Sequence, residues 1–118
     1  MRTVSKAVVK AAMRSVGDET LEFWYKIEKR VIFVPLTHGS LAIILPSSDL
    51  VQIIGYAGTR KDYQECFDYA KSVADSVGAV PIFAIVFPEM LEYVSACGLS
   101  RVTGYTKDGK IGVCSESI

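Results

Sequence analysis

Histidine and cysteine are scarce in this sequence of 118 residues, which has one histidine, His38, and three cysteines. Zinc sites need Cys and His in pairs at ligand spacing, and because no such pair occurs, no metal site is predicted. An odd number of cysteines (Cys66, Cys97 and Cys114) without framework spacing indicates reduced thiols rather than a disulfide scaffold. A dyad of His38 with a cysteine stays open, although an ordinary turn residue is favoured.

The sequence also lacks an excess of charge of either sign, with 13 basic and 13 acidic residues. Proteins held by phosphate contacts usually have a basic excess, so nucleic acid is an unlikely partner. Near neutrality favours self-association, and a protein partner or a homo-oligomer is therefore predicted. No apolar run is long enough to span a membrane, and residues 1–17 lack the features of a signal peptide, so a cytoplasmic location is expected.

Half of the residues are hydrophobic and 22% are charged, which is a globular composition that fits a single domain over residues 1–118. Apolar residues at helical spacing, followed by Gly17, predict an amphipathic helix over 3–16. Asp18 can cap a second, shorter helix. Alternatively, residues 25–34 begin a strand.

The remaining pattern predicts strands interleaved with two helices. Residues 31–45 form a predicted hairpin around the turn 37–40, and residues 50–58 form a third strand. The apolar run 80–87 is typical of a strand covered on both faces. A helix over 88–97 and a hairpin with Asp108-Gly109 at its turn complete the chain. We therefore expect an α/β (α+β) fold with a central mixed, mostly antiparallel sheet of about six strands, flanked by helices.

The stretch between the third strand and the fourth holds the strongest candidate site. A helix is predicted from Tyr63, with Cys66 on its apolar stripe as a buried thiol. The Gly/Thr turn before this helix, with Arg60 and Lys61, is typical of an anion site. The alternative is that Asp62 caps the helix and Glu65 completes a box-like pair, and Thr59 is a competing cap.

Residues 31–114 resemble the GNAT acyltransferase fold in the order and hydrophobic pattern of their elements. The best local match is "AVPIFAIVFPEMLEYVSACGLSRVTGY", which is similar to the family's fifth strand, the following helix and the turn into the next strand. The resemblance implies that the helix after the turn holds the pyrophosphate of acetyl-CoA. It also implies cofactor contacts from one run of residues, namely Tyr56, Ala57, Gly58, Thr59, Arg60 and Lys61.

The sequence departs from the family pattern where that pattern carries chemistry. The family's Arg/Gln-x-x-Gly-x-Gly/Ala signature falls on residues 60–65, where Tyr63 and Glu65 replace two small residues. The family's catalytic tyrosine falls on Val94, and Tyr93, one place earlier, is the catalytic candidate that remains. Small, degenerate members of the family occur in tailed phages, which implies a location in the host cytoplasm or the virion. The expected function is therefore a binding or assembly protein that has lost acetyl-CoA catalysis, and the alternative is an active N-acyltransferase.

Overall fold

The computed structural model describes residues 4–17, 26–27 and 29–115. Short 3₁₀ turns at Arg60–Asp62 and Pro88–Met90 lead into the second and third of its helices. The helices are α1 (Lys6–Ser15), α2 (Tyr63–Ser76) and α3 (Leu91–Cys97). The strands are β1 (Ile32–Pro35), β2 (Leu41–Pro46), β3 (Val51–Ala57), β4 (Ile82–Val86), β5 (Arg101–Tyr105) and β6 (Ile111–Cys114).

The six strands form one sheet in the order β1-β2-β3-β4-β6-β5. Strands β3 and β4 are parallel, and the other four neighbouring pairs are antiparallel. A parallel pair needs a crossover, which α2 supplies here. The α+β class and the mixed, mostly antiparallel sheet are thus confirmed.

Helices cover the two faces of the sheet unequally. Alternate residues of β2 point to opposite faces, so Leu41 and Ile43 pack with Ala12 of α1, whereas Ala42 and Ile44 join the larger core with α2 and α3. We call these faces the α1 side and the α2 side. Helix α1 packs mainly on β2 and β3 rather than on β4.

The apolar strand β4 was predicted to be covered on both faces, and this prediction is wrong. Its residues Ile82, Ala84 and Val86 are buried on the α2 side, but Ile85 on the α1 side is 52% exposed. Phe87, just beyond the strand, is exposed to the same extent. The apolar run therefore leaves two large side chains in contact with solvent.

Helix α1 agrees with its predicted span within the described residues. Ser5 caps it by accepting a hydrogen bond from the Val8 N–H (3.2 Å), and Gly17 follows its end with a φ of +90°. The second helix predicted from Asp18 lies largely outside the described residues. The alternative strand starts later than suggested, because β1 begins at Ile32.

The two hairpins are confirmed. Strand β1, which carries Pro35, lies at an edge of the sheet, where a missing backbone donor costs no sheet hydrogen bond. In the β5–β6 turn the Thr106 N–H donates to the Lys110 carbonyl (2.9 Å), and Gly109 has a φ of +82°. Among the described residues, no helix is long and apolar enough to cross a membrane.

Helices α2 and α3 meet tightly at one glycine. Gly98 ends α3 with a φ of +129°, and a Cβ atom there would lie 2.4 Å from the ring of Phe67 on α2. Both the backbone conformation and the contact therefore require glycine. This contact holds the end of α3 against α2.

Candidate functional site

The parallel strands β3 and β4 separate along their length. They pair only at Val51–Ile82, Gln52–Phe83 and Ile53–Ala84. Opposite the step from Ile43 to Ile44, β3 contains one additional residue, which makes a β-bulge at Ile54. Bulges bend a strand and increase its twist, so this one helps to direct the end of β3 away from β4.

A cleft with a volume of about 260 Å³ lies in the gap between the separated ends of β3 and β4. Its wall on the α2 side is almost wholly apolar, and six of its residues are Tyr63, Cys66, Phe67, Val94, Cys97 and Leu99. On the α1 side its lining includes Arg14, Ser15 and Lys110. Among the described residues that line the cleft there is no carboxylate. An adjoining cavity of about 440 Å³, which Ser15, Ile85 and Lys110 also line, lies on the α1 side.

The last turn of α1 occupies a backbone donor at the edge of this gap. The Tyr56 N–H donates to Ser15 Oγ (2.8 Å), and the Ser15 hydroxyl donates to the Ala12 carbonyl (2.6 Å). The close approach depends on Gly55, where a Cβ atom would lie 2.8 Å from that carbonyl oxygen. The Tyr56 N–H at this edge of β3 is therefore not available to a ligand in the cleft.

The entrance to α2 is capped by Thr59, which confirms one of the two predicted arrangements. Thr59 Oγ1 accepts from the Lys61 N–H (3.3 Å) in the 3₁₀ turn that precedes the helix. The prediction that Asp62 caps the helix is wrong, since its side chain makes no capping hydrogen bond. Both Asp62 and Glu65 instead hydrogen-bond to the turn between β1 and β2.

We call these contacts the turn clamp, formed by Asp62 and Glu65 with residues 37–40. The Glu65 carboxylate accepts from the backbone N–H (2.8 Å) and the hydroxyl (3.1 Å) of Thr37. Asp62 accepts from the His38 N–H at 3.1 and 3.2 Å and from the Ser40 N–H at 3.4 Å. Its Oδ1 also lies 2.8 Å from His38 Nδ1. The sole histidine thus pairs with a carboxylate.

Asp62 is only 1% exposed, yet it stays ionised at neutral pH. Burial alone would raise the pKa of its carboxyl, but hydrogen bonds from Ser40 and His38 outweigh burial and lower the pKa below its ordinary value. The Ser40 hydroxyl also accepts from the Thr59 N–H (2.9 Å), which links the clamp to the capping residue. The helix entrance is therefore closed by buried negative charge and fixed hydrogen bonds.

The predicted cofactor residues span the end of β3 and the start of the 3₁₀ turn, and several of their polar groups already have partners within the chain. The Tyr56 hydroxyl donates to the Thr59 carbonyl (2.6 Å), and burial raises the pKa of Tyr56. Gly58 has a φ of +135° and packs on Ser40. Ala57 pairs with Leu41 in the sheet.

Arg60 and Tyr93, predicted for separate roles, are brought together. The guanidinium carbon of Arg60 lies 4.2 Å from the centre of the Tyr93 ring, a cation–π contact between the 3₁₀ turn and α3. Val94, at the position of the family's tyrosine, is buried in the core. Lys61 is exposed.

Two thiols face the cleft. Cys66 is buried, as predicted, and burial raises the pKa of its thiol to about 12, while burial also raises the pKa of Cys97. Such thiols are poor nucleophiles at neutral pH. Within the described residues no cluster of three or more His, Cys, Asp or Glu side chains could hold a metal ion.

Sequence reasoning missed two residues that shape this region, Ser15 and Ser40. Both are single hydroxyl residues whose partners are distant in the chain, and no local pattern marks them. Comparison with protein-family models, with curated proteins and with solved structures finds no match. The function must therefore be argued from the geometry of the cleft and the helix entrance.

Proposed function

We propose that this chain is a non-catalytic binding protein with a GNAT-like fold, and that its ligand occupies the cleft between β3 and β4. The support for the fold is the parallel strand pair that separates after a bulge, joined through α2 and followed by α3 and a terminal hairpin. Fold alone does not establish activity, so the argument about catalysis rests on the residues at the start of α2.

The observation that carries the loss of catalysis is the turn clamp. An acyl-CoA enzyme of this fold needs space and positive potential at the start of the helix, where backbone N–H groups hold the pyrophosphate. Here Asp62 is buried against residues 38 and 40, and Glu65 holds Thr37. Two carboxylates at this entrance repel an incoming phosphate.

Two further contacts support the same conclusion. The Tyr56 N–H, in the run of residues where the resemblance implies cofactor contacts, already donates to Ser15 Oγ. The Arg60 guanidinium packs on the Tyr93 ring. The catalytic candidate Tyr93 is therefore in contact with Arg60, the residue expected to bind phosphate. In this proposal the cleft is retained, but the Tyr56 N–H, Tyr93 and Arg60 no longer serve acetyl-CoA.

A second candidate function, acyl transfer from acyl-CoA to an amine, has one observation in its favour. Arg60 and the exposed Lys61 place two cations at the start of α2. The first residue of this helix, Tyr63, lines the cleft. In that case the chain would orient the acceptor amine rather than supply a covalent intermediate.

The test combines a neutral apolar probe with acetyl-CoA. N-phenyl-1-naphthylamine should bind saturably with one site per chain, and Cys97→Trp should abolish this binding by filling the cleft. Ala96→Trp is the matched control, because Ala96 is exposed on the same helix and does not line the cleft. Absence of saturable probe binding to the wild-type chain would refute the binding proposal.

Acetyl-CoA at millimolar concentration should leave the melting temperature unchanged. A ligand at about a hundred times its Kd stabilises a protein by about 2.7 kcal/mol, which a thermal melt detects easily. A clear rise in melting temperature that Arg60→Glu abolishes would instead establish cofactor binding and favour the acyltransferase.

A further inference from the structure

The charged side chains that line the cleft lie at one end of it. Arg14 and Lys110 are the charged groups among its described lining residues, and both belong to the α1 side. Asp108, the ion-pair partner of Lys110, lines the adjoining cavity on that side. The opposite end, between α2 and α3, is lined by apolar side chains, the ring of Tyr63 and two protonated thiols, and none of these groups is charged at neutral pH. A ligand that matches this arrangement has an apolar tail and an anionic head.

The size of the cleft limits the tail. An apolar cavity of about 150 Å³ accepts benzene, and the cleft of about 260 Å³ is larger but still narrow. If one methylene takes roughly the 30 Å³ that a water molecule takes, the cleft holds a chain of about eight or nine carbons.

The mouth on the α1 side exposes apolar surface that such a ligand would cover. Ile85 and Phe87 line the cleft there, and each is 52% exposed. Exposed large side chains at the rim of a cavity are typical of a binding site. The Lys110 ammonium lies 5.0 Å from the centre of the Phe87 ring, so a cation is already held over this apolar rim.

The ion pair between Lys110 and Asp108 is weak enough for a ligand carboxylate to replace Asp108. Lys110 Nζ lies 3.7 Å from Asp108 Oδ2, and the Asp108 side chain is 65% exposed. Exposed ion pairs of this kind contribute little free energy. A ligand carboxylate at the rim can replace Asp108 while its tail is buried, and Asp108 then acts as the competitor within the chain.

We propose that the ligand of this cleft is a free medium-chain fatty acid, with its carboxylate at Lys110 and its tail between β3 and β4. This inference rests on the proposed binding function and adds the chemical class of the ligand. No bond is made or broken, so the role is reversible binding.

The experiment measures displacement of N-phenyl-1-naphthylamine by three ligands with the same tail: decanoate, decanol and decyltrimethylammonium, each below its micelle-forming concentration. Decanoate should bind about tenfold more tightly than decanol, and the cationic ligand should bind least. From hexanoate to nonanoate the affinity should rise about fourfold for each methylene and then level off as the cleft fills.

Two substitutions test the head-group contact. Lys110→Gln should weaken decanoate binding about tenfold and weaken decanol and probe binding much less, whereas Lys110→Arg should retain decanoate binding. Asp108→Asn should strengthen decanoate binding severalfold because it removes the competing carboxylate. Lys107→Gln is the matched control, since Lys107 is an exposed cation in the same turn and does not line the cleft.

The outcomes separate this inference from the proposed function. If decanol binds as tightly as decanoate, or if Lys110→Gln weakens both equally, the anionic head group is refuted while cleft binding stands. Binding of decanoate that Cys97→Trp leaves intact would refute the assignment to this cleft. If the probe itself does not bind, the proposed function fails first.

Discussion

Removal of the Asp62 side chain is the sharpest perturbation of the turn clamp. In Asp62→Ala the N–H groups of His38 and Ser40 lose the carboxylate that accepts from them, and the His38 ring loses its partner. Ser40 is fully buried, so water does not reach its N–H without local opening of the turn. The substitution therefore leaves a buried donor without an acceptor.

The expected loss of stability follows from these bonds. A buried donor without a partner costs about 1–3 kcal/mol, and a hydrogen bond to a charged group contributes about 1.5–3 kcal/mol. The Ser40 contact is long at 3.4 Å and the His38 side chain is 53% exposed, which reduces both contributions. We expect a loss of about 2–3 kcal/mol in the free energy of unfolding, or a fall of about 6–12 °C in the melting temperature at this chain length.

The measurement is urea unfolding at pH 7, followed by circular dichroism. Asp68→Ala is the matched control, because Asp68 is an exposed acid of the same helix that accepts one bond from Gln64 (3.0 Å), and its loss should cost less than about 0.5 kcal/mol. Asp62→Asn should fall between the two, since its amide oxygen still accepts one backbone hydrogen bond. If Asp62→Ala loses no more stability than Asp68→Ala, the turn clamp does not hold the helix entrance as described.

Two further predictions concern acid and the junction of α2 with α3. Because the folded protein lowers the pKa of Asp62 below its ordinary 3.8, the stability from this group is present above pH 3.8 and is lost as the pH falls through the lowered value. Urea unfolding from pH 6 to pH 2.5 should therefore show the difference between wild type and Asp62→Asn shrinking at the acid end, and a difference independent of pH would contradict the shift. Gly98→Ala should cost about 2–4 kcal/mol, from a positive φ and from displacement of the Phe67 ring. Gly78→Ala is its control in the same unfolding assay, since Gly78 also follows a helix with a φ of +119° but has no atom within 4 Å of the added Cβ, and equal losses would show that the ring contact contributes nothing.

The local elements were predictable because their signals lie within a few residues of one another. The apolar stripe of α2, the glycines after α1 and α3, and Asp108-Gly109 in the last hairpin each depend on neighbours in the chain. Thr59 was among the predicted caps for the same reason, since its hydroxyl accepts from the N–H two residues later. The exposure of Ile85 was not predictable, because an apolar run does not reveal which strands a helix covers.

The contacts that define the candidate site are distant in sequence. Ser15 and Tyr56 are separated by 41 residues, Asp62 and His38 by 24, and Glu65 and Thr37 by 28. Asp62 followed by Glu65 three residues later matches a capping pair, and this local preference is overridden because the β1–β2 turn packs above the helix entrance. A carboxylate satisfies whichever donors the fold brings to it.

By itself, the sequence determined the α+β class, helices α1, α2 and α3, the two hairpins, and the absence of small residues at positions 63 and 65. These follow from hydrophobic periodicity, turn chemistry and side-chain size, all of which act locally. The tertiary structure alone decided that β3 and β4 separate, that a cleft opens between them with cations at one end, and that two acids of the helix entrance close onto a distant turn. The register of the parallel strands and the packing of α1 against Gly55 set the first two features, and the packing of the β1–β2 turn against the start of α2 sets the third. All of them depend on contacts between residues far apart in the chain.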